Sequence, residues 1–491
     1  MSGYLKTIVS VFLLWIFPAL HAGAQTRFEE KVEEEFWLQS RNINGVRGIP
    51  VYSEPRGLSF AEFHTGFESG RFHDISDADR ASRAGVRAGT LTHLHKSSFL
   101  GTISFDQRNG TGTRTQGSIL TAPGRYPFDF LVTTPGDKTL RTLDVTGGYT
   151  LTLSPSWAVG GKMGFTYENA ARRTETRLTS QRFDLSLEPS VLFRHDDFRA
   201  GLSLLFRKQN EAFTKAENGP SVFLNEGLFY GLRSDLGGIG NSFTPISSLS
   251  CGAAVQGSLM EKVCLEVAYI RSMGETGDKT ISGYTFPENK VSVLAEFRWG
   301  GSITQWVRLR YEGRALSNEK TLPDWNGLIF KDREDRLTLT TQGMTHRGSG
   351  FLVRLSADRR ARKAFRIPPD ATATSREILA NGGLSIWHNF GPWRLTFGAD
   401  FRRTLFDKDS LELPEYDSYG IQFVPYRQTF LYDRDHEYRL APRNDVRLAV
   451  RYNLPFGLYA EAEGMLTRGY RLEYLNGKTR FLGGFRLGME F

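Results

Sequence analysis

Long apolar runs and cysteine are both scarce in this chain of 491 residues. The apolar stretch from Ile8 to Leu20 covers about 13 residues, and nothing later approaches the roughly 20 that a spanning helix needs. A membrane protein built from helices is therefore excluded. Two cysteines also exclude a disulfide-rich extracellular scaffold.

An excess of one charge is lacking too, since 62 Lys and Arg face 54 Asp and Glu. The formal net charge of +8 is modest for this length, and we expect no nucleic-acid partner. Glycine and aromatic residues are abundant instead, with 51 Gly, 36 Phe, 18 Tyr and 8 Trp, yet the mean hydropathy is negative. This profile is typical of a transmembrane β-barrel, because half of each strand faces lipid and half faces water.

Both ends of the chain support an exported barrel. Lys6, the apolar run and the small residues Ala22-Gly23-Ala24 form the pattern of a secretory signal peptide, so residues 1–24 are set apart from the fold. Residues 478–491 alternate apolar and polar positions up to the last residue. Phe485, Met489 and Phe491 are the candidate insertion signal in this strand, to be recognised by a barrel-assembly machinery.

A period of two residues recurs along the whole chain and predicts an all-β, transmembrane antiparallel β-barrel of about 18 strands, within a range of 16 to 20. Short and long connections alternate between these strands, so both termini are expected on the periplasmic side. The candidate strands are 58–69, 82–94, 97–107, 139–153, 157–169, 179–194, 198–209, 247–258, 263–273, 288–299, 303–316, 333–346, 350–360, 374–388, 393–405, 441–453, 458–469 and 478–491.

Several short motifs add a resemblance to known sequences. They are Trp37-x-x-Ser40-x-Asn42-x-x-Gly45, Gly66-Phe67-Glu68-Ser69-Gly70-Arg71-Phe72, Pro155-x-Trp157, Gly391-Pro392-Trp393 and the terminal Phe491. With these the chain resembles the uncharacterised outer-membrane β-barrel families of Bacteroidota, which carry a domain of unknown function. The resemblance implies a barrel in the cell outer membrane of a Gram-negative bacterium, with outer-membrane lipid around it, and it implies no active site.

The segment 25–57 precedes the barrel, which we expect to occupy 58–491. Within it, Phe28, Val32 and Phe36 recur every four residues among five glutamates, the spacing of a short amphipathic helix. A barrel of this size has a lumen wide enough to hold such a segment. The segment is either a plug drawn into the lumen by its acidic residues or a solvated periplasmic tail.

The inward face is predicted from the polar positions of each strand. Basic and acidic residues are interleaved there, so no ladder of one sign, as in a selective pore, is expected. The side chains form either a lattice of cross-strand ion pairs or a lumen wet enough to pass small polar solutes. The candidate lumen-lining residues are Lys162, Arg298, Arg308, Arg310, Arg394, Arg402, Arg447, Arg451, Glu296, Glu461 and Glu463.

Three predictions follow from the strand pattern. Cys251 and Cys264 should remain unpaired, because they lie on opposite faces and several registers apart. Arg447 should lie opposite Glu463 across a turn centred on Pro455. Phe397 should face lipid and its neighbour Thr396 the lumen.

Residue patterns for catalysis are weak, and we expect no enzyme, no cofactor and no metal site. His93 with His95, His436 with its acidic neighbours, and the Asp74 to Asp79 group lack ligand spacings of known sites. The long connections 108–138 and 406–440 mix aromatic and polar residues, which is typical of surfaces that bind proteins or sugars. The sequence therefore leaves two functions open: a channel or transport component for small polar solutes, gated by the N-terminal segment, or a non-conducting barrel whose loops bind a partner transporter or glycan.

Overall fold

The computed structural model describes most of the chain beyond residue 34. Described are residues 28, 32, 35–48, 57–74, 77–113, 128–131, 136–172, 178–215, 223–226, 242–277, 284–300, 303–318, 327–345, 348–367, 371–412, 425–475 and 477–491. The signal-peptide prediction for residues 1–24 lies outside these ranges.

Strands dominate the described residues. The barrel strands are β1 Leu58–Gly70, β2 Arg80–His93, β3 Ser97–Thr113, β5 Gly136–Thr152, β6 Trp157–Arg172, β7 Leu178–His195, β8 Phe198–Lys215, β10 Ser242–Leu259, β11 Val263–Gly277, β12 Tyr284–Trp299, β13 Ile303–Ser317, β14 Gly327–Thr345, β15 Gly350–Ile367, β16 Ala371–Phe390, β17 Trp393–Glu412, β18 Arg443–Asn453, β19 Leu458–Gly469 and β20 Thr479–Glu490. The remaining elements are the strands β4 Phe128–Leu131 and β9 Phe223–Glu226, the helices α1 Phe36–Gln39 and α2 Pro425–Leu440, and the 3-10 helices Ile43–Gly48 and Pro455–Gly457.

The 18 barrel strands form one closed antiparallel sheet, and β4 pairs with β9 in a separate two-stranded sheet. Closure is made by β1 and β20, where the backbone N–H of Ser59 donates to Phe491 O at 2.7 Å and Phe491 N–H donates back at 2.9 Å. Closure leaves no strand of this 18-stranded sheet with an unpaired edge. The predicted transmembrane β-barrel of 18 strands is therefore confirmed.

The alternation that predicted the strands also sorts the side chains between two faces. Phe397, Leu448 and Ile386 are exposed on the outward face, whereas Trp387 and Ala449 on the same strands are buried on the inward face. Such an apolar outer face suits lipid. Within the described ranges, no helix is long and apolar enough to cross a membrane.

Aromatic pairs lie on the outward face beside the short connections. The rings of Trp157 and Phe193 are 5.0 Å apart, and those of Trp393 and Tyr452 are 4.5 Å apart. Tryptophan and tyrosine favour the boundary between hydrocarbon and headgroups, so the two Trp-containing turn motifs mark one edge of the lipid-facing band.

The start of β1 and the end of β20 both lie at the barrel end with the short connections. Leu58 pairs with Leu91 just before the turn at residues 94–96, and Phe60 pairs with Glu490. The compartment that this end faces remains a prediction.

The predicted register of the β18–β19 hairpin was wrong by two residues. Arg447 lies opposite Met465, and Ala449 lies opposite Glu463. The turn is centred on Phe456, which adopts a left-handed backbone with φ of 65°, and not on Pro455. A shift of two residues preserves the face, so Arg447 still points inward and binds Glu463 diagonally, with Nη2 to Oε2 at 2.6 Å.

The two cysteines are free, as predicted. Cys251 is exposed on the outward face opposite Arg271, whereas Cys264 is buried on the inward face opposite Ser258. Mass spectrometry under non-reducing conditions should therefore detect two free thiols. A peptide linked between residues 251 and 264 would contradict the pairing of β10 with β11.

Helix α2 was not predicted, since the sequence pattern assigned 406–440 to a loop. Tyr432 and Leu440 are buried, but so are the charged side chains of Arg434 and Asp435. A helix that buries charges shows no clear apolar stripe, and periodicity cannot reveal it. It is held by tertiary contacts instead, such as Arg439 Nη1 donating to Glu377 Oε2 at 2.6 Å.

Candidate functional site

The N-terminal segment 35–46 lies inside the barrel, near the short connections. Phe36, Trp37 and Leu38 of α1 are buried and join inward-facing side chains of the barrel wall in one apolar cluster, against which Val32 packs. The cluster consists of Phe28, Phe36, Trp37, Leu38, Ile43, Val46, Phe60, Leu91, Ala158, Leu192, Cys264 and Leu294. The predicted spacing of Phe28, Val32 and Phe36 thus corresponds to one buried face.

Glu266 of β11 is the main polar anchor of this segment. Its Oε2 accepts hydrogen bonds from Ser40 Oγ and from the backbone N–H of Arg41, both at 2.8 Å. Arg41 Nη1 also lies 3.1 Å from Glu188 Oε1 of β7. A buried carboxylate with several donors is well satisfied, so these contacts fix the chain after α1 against two separate parts of the wall.

Two asparagines continue the anchor. Asn42 and Asn44 are both 0% exposed. Asn42 Nδ2 donates to Val191 O at 2.9 Å, Asn44 Nδ2 donates to Ser190 Oγ at 3.0 Å, and Thr150 Oγ1 donates to Asn44 Oδ1 at 2.6 Å. Since leaving a buried amide unpaired costs about 1–3 kcal/mol, this network specifies one docked position.

The structure explains why Trp37 and Gly45 occur together in the motif from Trp37 to Gly45. A β-carbon at Gly45 would lie 1.9 Å from Cδ2 of Trp37, so only glycine allows the 3-10 helix to pack on the indole. Ser40 and Asn42, the other motif residues, make the polar contacts. The sequence showed the motif but not its partners, which come from strands more than 100 residues away.

Replacing Gly45 by alanine should loosen this segment. Crowding in a packed core costs about 1–3 kcal/mol, and here the added methyl meets a ring that cannot move away freely. We expect trypsin to cut faster after Arg41 in Gly45→Ala than in the wild type, as measured by mass spectrometry. Gly147→Ala is the matched control, because nothing lies within 4 Å of its added carbon. Equal cleavage of all three proteins would contradict the packing.

A cavity of about 990 Å³ lies beyond this segment in the lumen. Phe28, Val32, Leu38 and Gln39 form part of its lining, on the side of the N-terminal segment. Eight basic side chains line it: Arg87, Lys162, Arg308, Arg310, Arg336, Arg354, Arg402 and Arg443. Four acidic ones line it: Glu312, Asp358, Asp400 and Asp445. Basic side chains thus outnumber acidic ones in this lining, although Arg87 and Arg308 pair with Glu62 and Glu296 just outside it.

The predicted lumen residues all lie on the inward face, and most take part in pairs. Arg298 lies 3.1 Å from both Glu35 and Glu296, and Arg308 lies 2.6 Å from Glu296. The others are Arg447 with Glu463 at 2.6 Å, Arg451 with Glu490 at 3.0 Å, Glu461 with Arg486 at 4.0 Å, Arg310 with Gln39 at 3.1 Å, Arg402 with Asn381 at 2.9 Å, Lys162 with Ser40 O, and Arg394 over the ring of Trp387 at 5.3 Å.

These contacts divide the lumen into two regions. Near the short connections the charges are paired with each other or with the N-terminal segment. In the cavity, Arg336 pairs with Asp358 at 2.6 Å, whereas Arg310 and Arg402 donate to the neutral amides Gln39 and Asn381. Arg402 also lies directly opposite Arg443, a like-charge pair that disfavours the bare sheet. The cavity can therefore accept negative charge from a solute.

The candidate insertion residues lie on β20 and at its end. Phe485 and Phe491 are exposed on the outward face, in line with Met489. Their recognition during insertion remains a prediction.

At the other end of the barrel, helix α2 packs against the ends of β16 and β17. His436 Nε2 lies 3.1 Å from Asp407 and 3.8 Å from Asp409. The donor atoms of these three residues lie within 4.8 Å of one another, but Arg439 Nη2 lies 3.3 Å from His436 Nδ1. A guanidinium only donates, so this contact fits the tautomer in which Nδ1 accepts from Arg439 and Nε2 donates to Asp407.

Asp433 of α2 lies near the same acidic side chains. Burial, and then the carboxylate of Asp409, raise the pKa of Asp433. In the Asp74 to Asp79 group, by contrast, Asp77 has basic partners, since it lies 2.6 Å from Arg108 and 3.0 Å from Arg480. Asp79 lies 2.8 Å from His73. Asp77 and Asp79 are thus held by basic or histidine side chains of the barrel.

The fold and the lumen define a transmembrane β-barrel that contains part of its own N-terminal segment. The chain belongs to a family of unknown function, DUF6850, whose model matches residues 48–491. An origin in Bacteroidota remains a prediction. No curated protein matches the chain.

Two of the solved structures that match the chain are receptors for ferric complexes. A mutant of the ferric enterobactin receptor from Pseudomonas aeruginosa has a TM-score of 0.40 and 9% identity, covering 88% of this chain and 80% of that one. The ferric preacinetobactin receptor from Acinetobacter baumannii has a TM-score of 0.37 and 9% identity, covering 89% and 80%.

Proposed function

We propose that the protein is an outer-membrane transport barrel for small polar solutes, closed at its short-connection end by the N-terminal segment. The observation that carries the proposal is the docking of residues 35–46 in the lumen through Glu266, Ser190 and Thr150. A solute entering from the long-connection end would reach the basic cavity and stop at this segment. Displacement of the segment would open the path.

The location rests on three features. The outward face is apolar, the barrel is closed, and the sequence begins with a signal-peptide pattern. Outer-membrane barrels place short turns in the periplasm, so the N-terminal segment would meet the periplasm and the long connections the cell exterior. The excess of basic residues in the cavity favours solutes that carry negative charge.

The alternative is a surface barrel that does not conduct and binds a partner protein or glycan. Helix α2 favours it, because this helix packs on the strand ends at the long-connection side. Current through planar bilayers separates the two functions. A transport barrel should conduct once the N-terminal segment is removed, whereas a surface barrel should remain closed.

A further inference from the structure

A group of exposed basic side chains lies on the outward face of β14 to β17, towards the long connections. These residues form the basic patch: Lys331, Arg333, Arg359, Lys363, Arg376 and Lys408. They alternate with buried inward residues such as Asp332 and Arg362, which fixes their direction away from the lumen. The basic patch therefore plays no part in the cavity.

The register brings like charges together in the basic patch. Lys331 lies directly opposite Lys363, and Arg376 lies directly opposite Lys408. Residues facing each other across strands have β-carbons about 5 Å apart, and like charges at that distance destabilise a sheet. An arrangement that is unfavourable in the bare protein becomes favourable when an anion lies over it.

One carboxylate, Asp335, neutralises Arg333 of the basic patch and lies directly opposite Arg359. Asp335 lies in the next position along the strand and already pairs with Arg333 at 3.1 Å while accepting from Tyr311 at 2.9 Å. In the part of the chain that the structure describes, Lys363, Arg376 and Lys408 have no ion-pair partner. Lys331, Lys363, Arg376 and Lys408 line a depression of about 670 Å³ on this surface.

The apolar band of the barrel begins directly beside the basic patch. Leu337 and Leu339 follow on β14, Leu355 on β15, and Leu384 on β16, all exposed on the same outward face. A molecule with phosphates and acyl chains would place its charge on the basic patch and its chains along these leucines. A soluble protein or a nucleic acid would have to face lipid at this edge.

We propose that the basic patch binds the phosphates of an anionic glycolipid in the membrane leaflet on the long-connection side. Lysines supply mobile point charges, and arginines supply paired donors that fit phosphate oxygens. The basic patch is then a lipid-binding surface that holds glycolipid molecules against the outward face of β14 to β17. Its place in the outer leaflet rests on the proposed orientation, but the binding itself does not.

The test compares two double variants of the full chain in detergent. Lys363→Gln with Lys408→Gln removes two charges from the basic patch, and Lys96→Gln with Lys262→Gln removes two exposed lysines from short turns at the opposite end. Titration with bisphosphorylated lipid A should show binding weakened about thirtyfold for the first variant and unchanged for the second, from the usual contribution of a basic residue at an anionic surface. High salt should weaken wild-type binding.

Three outcomes would overturn the proposal. They are equal binding by both double variants, equal binding of a dephosphorylated lipid A by the wild type, and full competition by inorganic phosphate at the concentration of the lipid phosphates. The last would assign the site to free phosphate. None of them alters the bilayer currents, so failure here is distinct from failure of the transport function.

Discussion

Removal of residues 25–48 is expected to turn a closed barrel into a conducting one. The deletion takes away α1, the buried asparagines and the apolar cluster contributed by the segment, leaving the cavity continuous with the short-connection end. Barrels of 16 to 18 strands without a plug leave an aqueous channel, so the steady current should rise by on the order of tenfold or more. Single-channel recording in planar bilayers measures it.

A shorter deletion provides the matched control. Removing residues 25–39 leaves Ser40, Asn42 and Asn44, whose hydrogen bonds to the wall are independent of α1. We therefore expect a smaller rise in current than for the longer deletion. Both variants must first show the heat-modifiable gel mobility of a folded barrel. If the longer deletion leaves a folded barrel without current, the lumen is closed elsewhere and the surface-binding function is favoured.

Salt should imitate the deletion only weakly. Among the described contacts of the segment, the ion pairs are those of Glu35 with Arg298 and Arg41 with Glu188. The asparagine contacts and the apolar cluster do not depend on charge and are little affected by screening. A large rise in wild-type current at high salt would mean that charge attraction, and not burial, holds the segment.

The barrel was predictable because the alternation of apolar and polar residues recurs in 18 segments, and short turns join neighbouring segments in pairs. The bounds were less certain at the long connections, where β8 continues to Lys215 and β15 to Ile367 beyond the clear pattern. The hairpin register depended on one residue, Phe456, adopting a left-handed backbone that propensity does not favour.

The candidate site was only partly predictable. The alternation along each strand identified which charged residues face inward, because successive side chains point to opposite faces and the face towards lipid must be apolar. It could not tell which inward residues meet the N-terminal segment, because Ser40, Asn42 and Asn44 are short polar residues without periodicity and their partners come from distant strands. The alternation also could not show where the cavity begins. That boundary depends on how far the N-terminal segment extends into the lumen.

An arginine placed in the lipid-facing band should cost far more than one placed in the cavity. Phe397 is 46% exposed on the outward face, between Ile386 and Leu448 of the neighbouring strands. Phe397→Arg should therefore lower the free energy of unfolding by about 2–4 kcal/mol, the cost of a charge facing the hydrocarbon core. Urea unfolding of the barrel in lipid vesicles measures this loss.

The control substitution must be at a residue that faces the open cavity, because other inward positions are tightly packed. Thr396 faces inward as predicted, but it lies opposite the buried Trp387 and Ala449, where an arginine would also be crowded. Thr146 lines the cavity, is exposed, and lies opposite Thr102 and Gly164, which carry no charge. Thr146→Arg should consequently change the unfolding free energy little, since its charge remains in water and meets no like charge directly across the sheet. An equal loss for Phe397→Arg and Thr146→Arg would mean that the outward face of β17 does not meet lipid.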